Sequence, residues 1–105
     1  MTVTLDRVFD ALANEARREI VSHLSSGSAT TPELSRHFTF TKQALNRHLQ
    51  MLEEAGLVER RLRGRTHELR LHGNRLEELS GWAATVADNW HQNLDRLDQV
   101  LKEQT

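Results

Sequence analysis

The last third of the chain constrains the fold more than any other segment. From about Asn74 to Lys102, Leu76, Leu79, Ala83, Val86, Trp90, Leu94, Leu97 and Leu101 recur at helical spacing. At about 100° per residue all eight fall within an arc of roughly 80°, narrower than a usual core-facing stripe and close to a coiled-coil seam. Such a seam asks for a second helix along its length. A chain of 105 residues has a limited core of its own and its remaining helices are short. The spacing therefore predicts pairing with the same helix of a second copy, with Leu5 and Val8 of the first helix contributing and Trp82 and Val100 widening the seam. The alternative is a long helix packed wholly within its own protomer.

The rest of the chain reads as short elements in one domain, residues 1–105, without internal repeats or low-complexity segments. Leu5, Val8, Phe9 and Leu12 share one helical face. Asn14 offers an N-cap for a second helix whose stripe is Ala16, Ile20, Val21 and Leu24. Ser25 to Thr31 is small and polar and is expected to be a loop. Thr31, Pro32 and Glu33 start a brief helix that ends near Phe38, because proline tolerates the first turn and an acid there complements the helix dipole. Thr41 can cap the next helix, with Ala44, Leu45, Leu49 and Leu52 inward and Gly56 as the stop. From Leu57 to Leu71 two short extended runs surround Arg63, Gly64 and Arg65, a basic hairpin tip. The expected class is mainly α with a small β-hairpin.

Charge is distributed unevenly behind a net value of −1. Residues 1–35 hold three Lys/Arg and five Asp/Glu; residues 36–70 hold eight against four; residues 71–105 hold three against six. A basic middle between acidic ends fits one surface that faces a polyanion. The element order gives that surface a mechanical meaning, since one helix of a helix-turn-helix can brace while the other enters the major groove. The helix that starts at Thr41 is the expected reader. Its outward side carries Lys42, Gln43, Asn46 and Arg47, side chains able to pair with adenine or guanine edges. Thr39, Thr41 and His48 are candidates for phosphate contact, and Arg61, Arg63 and Arg65 of the hairpin for phosphate or the minor groove.

Two stretches carry a family resemblance. Ala11-Leu-Ala-Asn-Glu-Ala-Arg-Arg-Glu-Ile20 and Ala44-Leu-Asn-Arg-His-Leu-Gln-Met-Leu-Glu-Glu-Ala-Gly-Leu-Val58 resemble the ArsR family of repressors, the second through Thr41, His48, Leu49, Leu52, Glu53, Ala55, Gly56, Leu57 and Val58. The resemblance implies a winged helix-turn-helix homodimer, paired through its terminal helices, that blocks transcription at a partly palindromic operator in double-stranded DNA. Asn46 stands where many relatives carry serine, so no base preference transfers. Asn14-Glu15 replaces a common Asp-Pro and bears on helix entry.

Many members of that family sense metals. Their site in the third helix uses a cysteine pair, and the matching Glu33 to Phe38 has none. The terminal-helix site needs a second histidine, whereas here Asp88, His91 and Asp95 share a helical face with none following. The expectation is the metal-independent branch that contains autorepressors, with no metal and no cofactor. A metal or small ligand at the dimer interface, or a protein-binding adaptor, are the competing readings, and an adaptor has no need of the basic cluster. No glycine-rich nucleotide loop or catalytic constellation points to an enzyme. With no cysteine, no leader pattern and no apolar run of membrane-spanning length, the expected location is the cytoplasm, without membrane contact.

Overall fold

The computed structural model describes residues 4–104. Its elements run α1 (Leu5–Leu12), α2 (Glu15–Leu24), β1 (Ala29–Thr30), α3 (Thr31–His37), α4 (Lys42–Glu54), β2 (Val58–Arg63), β3 (Thr66–Leu71) and α5 (Asn74–Glu103). Side-chain oxygens start three of the helices. Asn14 accepts from the Arg17 backbone N–H at 3.2 Å, Thr30 from Glu33 at 3.3 Å and Thr41 from Ala44 at 3.1 Å. Each satisfies a donor that the first turn of a helix leaves without a partner. At its other end α4 closes on Gly56, whose φ of 74° lies in the left-handed region. Leu57 N–H donates to the Leu52 carbonyl and Gly56 N–H to Glu53, both at 3.0 Å. This reciprocal pair is the Schellman closure that a glycine permits, and it buries Leu57 beside Leu52.

The strands form one antiparallel sheet in the order β1-β3-β2. Val58 pairs with Leu71 at the base of the hairpin and Arg63 with Thr66 at its end, which leaves Gly64 and Arg65 as a two-residue tip. Gly64 has φ 65°, the positive value that a II′ hairpin turn requires at its first position. The third strand corrects the expectation that residues 25–31 are all loop. Ala29 pairs with Leu69 and Thr30 with Glu68, so the chain touches the sheet for two residues before Thr30 caps α3. Two residues are too few to show any alternation, so the strand left no mark on the sequence.

The core gathers one stripe from each element: Val8 and Ala11 of α1, Ile20 and Leu24 of α2, Leu34 of α3, Leu45, Leu49 and Leu52 of α4, and Leu69 of β3. Val8 is fully enclosed within the protomer. That corrects its assignment to a dimer interface, because a side chain with no exposed surface has none to give to a second copy. Leu5, Leu76 and Leu79 are half-buried against the same core, and the edge of the Phe9 ring meets Trp82 at 5.4 Å between centroids. Beyond those turns α5 leaves the body of the protomer. Every residue from Ser80 to Lys102 is exposed, and the principal extents of 70 × 32 × 21 Å reflect this projecting helix. No helix among the described residues is long and apolar enough to cross a membrane.

Truncating a fully enclosed core leucine removes contacts that the surroundings cannot rebuild. Leu49→Ala should lower unfolding stability by about 2 to 5 kcal/mol. Leu62, 69% exposed on the hairpin, should tolerate alanine within about 0.5 kcal/mol. Equilibrium urea denaturation of the two variants measures the contrast.

Candidate nucleic-acid interface

Leu45, Leu49 and Leu52 turn one side of α4 into the core, so Lys42, Gln43, Asn46 and Arg47 are turned outward and all four are exposed. They divide into two flanks. Lys42 and Asn46, one turn apart, border a groove whose other walls are Thr31, Pro32 and Ser35 of α3 and Arg60, Arg65, Thr66 and His67 of the hairpin. Gln43 and Arg47 border a separate concavity on the far side of the helix, with Thr41, Ala44 and His48. Thr39 is exposed in the turn between α3 and α4. The structure thus collects the sequence-derived residues of α4 and Arg65 around the N-terminal half of α4.

It also adds Thr31, Ser35 and His67 to the groove wall. Nothing in their residue types singles them out, and their place follows only from how α3 and the hairpin pack against α4. Thr41 does two things at once, since its oxygen caps the helix through Ala44 N–H while its hydroxyl hydrogen stays available. The helix end beside Lys42 presents backbone donors and the positive end of the dipole, a fitting surface for a phosphate.

Cross-strand register sorts the hairpin into two faces. Arg60, Leu62, His67 and Leu69 lie on the face that continues the core, whereas Glu59, Arg61, Arg63, Thr66, Glu68 and Arg70 lie on the other. Ion pairs occupy much of this charge. Arg63 Nη1 donates to Glu68 at 2.7 Å, Arg70 Nη2 to Glu59 at 3.0 Å, and Arg60 Nε to Glu53 of α4. The Arg70 hydrogen bond holds the Glu59 carboxyl below its ordinary range, with the positive fields of Arg70, His72 and Arg61 adding to it. Arg61 and Arg65 make no ion pair among the described residues. Less of the basic hairpin is free than a count of arginines suggests.

His48 is half-buried, with its ring 5.3 Å from Phe40 and Nδ1 3.5 Å from Arg17 Nη1. Burial lowers its pKa, and the charges of Arg17 and Arg47 lower it further, so the ring is neutral at physiological pH. It is therefore a hydrogen-bonding group at this surface, not a cation. Asp88, His91 and Asp95 are exposed on α5, and among the described residues no three His, Cys, Asp or Glu side chains converge as a metal site would require.

A helix-turn-helix domain model matches residues 12–61, the span from the end of α1 into the hairpin. The chain is 34% identical to an uncharacterized HTH-type transcriptional regulator, YuzN of Bacillus subtilis, over 73% of its own length and 92% of that protein. It is 26% identical to the transcriptional repressor SdpR of the same organism, over 74% and 87%. Among solved structures it is similar to an ArsR-like transcriptional regulator from Rhodococcus sp. RHA1, with a TM-score of 0.75 at 29% identity over 91% of each chain.

The Arg63–Glu68 pair is exposed on the hairpin, so a polyanion bound there would compete for the arginine. Glu68→Gln should free Arg63, tighten binding to random duplex several-fold and steepen the slope of log affinity against log salt by about one unit. Fluorescence anisotropy across a salt series reads both quantities.

Proposed function

Since the chain belongs to the ArsR family of winged helix-turn-helix DNA-binding transcriptional regulators, we propose that it is a homodimeric repressor. In this reading it acts in the cytoplasm and lays α4 of each protomer into successive major grooves of a partly palindromic operator. The observation that carries the DNA part is the groove in which Lys42 and Asn46 of α4 meet Arg65 of the hairpin tip, with Gln43 and Arg47 exposed on the other flank of the helix. Gln43 and Arg47 read bases, Thr39, Thr41 and His48 meet the backbone, and Arg61, Arg63 and Arg65 supply sequence-blind affinity as the wing. The similarity to SdpR, a transcriptional repressor, supports the direction of regulation. Membership in a regulator family leaves no role for an enzyme reading.

Base and phosphate contacts separate experimentally. Changing Arg65 to Ala should weaken specific and random DNA alike and make the salt slope shallower by about one unit, with sequence preference intact. Gln43→Ala should instead cost about 1 to 3 kcal/mol on the operator, spare random DNA, leave the slope unchanged and relax preference at one position per half-site. Operator fragments selected from genomic DNA provide the specific probe. The reverse pattern would overturn the placement of reader and wing.

Support for the dimer comes from the outer half of α5, where Val86, Trp90, Leu94, Leu97 and Leu101 are each at least 41% exposed on one protomer. Covering them should contribute several kcal/mol, at roughly 1.5 to 3 per large side chain fully buried. Ala83 continues this stripe, and Leu79 and Leu5 border it. Val86→Asp combined with Leu97→Asp should give monomers in sedimentation at micromolar concentration, whereas the parent chain should sediment as a dimer. The chain has no cysteine to sense arsenite or zinc, and in this reading repression is independent of metal. Titration with zinc, nickel or arsenite should leave operator affinity unchanged.

A further inference from the structure

Arg17 lies at a junction of three elements. Its side chain donates from Nε to the Ala11 carbonyl at 2.5 Å and from Nη2 to the Asp10 carbonyl at 3.3 Å, both on the last turn of α1. Its backbone N–H is the one that Asn14 caps, and Nη1 reaches His48 Nδ1 on α4. A guanidinium has only donors, so this last contact is a hydrogen bond only when Nδ1 carries a lone pair. Partial burial, with Phe40 against the ring, disfavours a second ring proton, and the cations Arg17 and Arg47 disfavour it further. The single proton is left on Nε2. No hydrogen bond occupies that atom among the described residues, and the ring borders the concavity it shares with Thr41, Gln43 and Arg47.

We propose that Arg17 is a positioning residue for DNA binding: it fixes His48 as the Nε2–H tautomer, so that the reading helix presents a neutral donor to a backbone phosphate beside Arg47. The proposal rests on the DNA-binding reading of α4 and adds a role for a residue that touches no DNA. It makes the last turn of α1 and the reading helix share one side chain. It also assigns His48 a hydrogen bond and no charge, which distinguishes it from the arginines around it.

The first measurement uses the intact protein without DNA. Histidine-selective ¹⁵N NMR at pH 7.5 should show His48 with a bare Nδ1 and a protonated Nε2. Arg17→Met should shift the ring toward a mixture of tautomers, and Arg17→Lys, which keeps a donor, should shift it less. A wild-type His48 that is Nδ1–H or doubly protonated, or a tautomer that Arg17→Met leaves unchanged, would overturn the proposal. The second measurement uses a random-sequence duplex of about three helical turns, because a phosphate contact does not depend on knowing the operator. His48→Asn should weaken binding about tenfold, the loss expected for one hydrogen bond to a charged group, without changing the salt slope. His48→Gln, whose amide can place a donor near the position of Nε2, should recover most of that loss. Arg17→Met should add little in the His48→Asn background, since both changes remove the same contact. A shallower slope for His48→Asn, equal losses for Asn and Gln, or fully additive losses would overturn the phosphate role. Failure of the parent protein to bind duplex at all would instead overturn the DNA reading and, with it, the phosphate half of the proposal, and the NMR result distinguishes the two failures.

Discussion

Three buried leucines on α4 fix the rotation of the helix that faces outward. Leu45, Leu49 and Leu52 are almost wholly enclosed, and their burial leaves α4 a single rotational setting about its axis. Everything proposed for the surface follows from that setting. Residues 42, 43, 46 and 47 point outward because residues 45, 49 and 52 point inward, and a rotation of one residue would turn Asn46, Gln50 and Glu53 into the core in one sense and His48 in the other. The Schellman closure at Gly56 completes the constraint, since it directs the chain straight into β2 and so sets where the hairpin stands relative to the exposed end of α4.

The hairpin illustrates how neighbours dilute a charge pattern. Five arginines between Val58 and Leu71 suggest a strongly positive wing, yet Glu53, Glu59 and Glu68 hold Arg60, Arg70 and Arg63. The two exposed pairs, Arg63–Glu68 and Arg70–Glu59, contribute little to stability. Their consequence is electrostatic: they leave Arg61 and Arg65, with Lys42 and Arg47 on α4, as the arginines and lysine most open to a polyanion at this surface. A surface with moderate positive charge favours discrimination among DNA sequences over indiscriminate adhesion, because nonspecific affinity grows with each phosphate neutralised.

α5 has two halves with different physics. Its first turns lie on the protomer core through Leu76 and Leu79 and meet α1 through Phe9 and Trp82. Its remainder extends a helix of 30 residues, about 45 Å, well past that core. Apolar stripes this long are rarely left in water, so the helix carries the argument for a partner. Its continuity with α1 matters for the rest of the molecule, because the last turn of α1 is held by Arg17, which also reaches His48 on α4.

The fold was legible in the sequence wherever a period or a cap was long enough to repeat. The α5 stripe, the caps at Asn14 and Thr41, the stop at Gly56 and the turn at Gly64 each reflect a local rule acting on adjacent residues, and all five appear in the structure. The outward residues of α4 were legible for the same reason, since inward and outward follow from one helical period. Tertiary packing decided what no local rule contains. Val8 shares a stripe with Leu5, and the sequence cannot tell a core position from an interface position when both need an apolar side chain; only the closure of the helices around it shows that it is enclosed. The strand β1 exists because β3 offers it an edge. Thr31, Ser35 and His67 joined the groove, and Arg63 was drawn to Glu68, through contacts between elements distant in the chain or opposed across a turn. By itself the sequence determined the helices and the hairpin and which sides of them are apolar; the distances between those sides, and therefore which charges are paired and which proton His48 keeps, were set only when the elements packed.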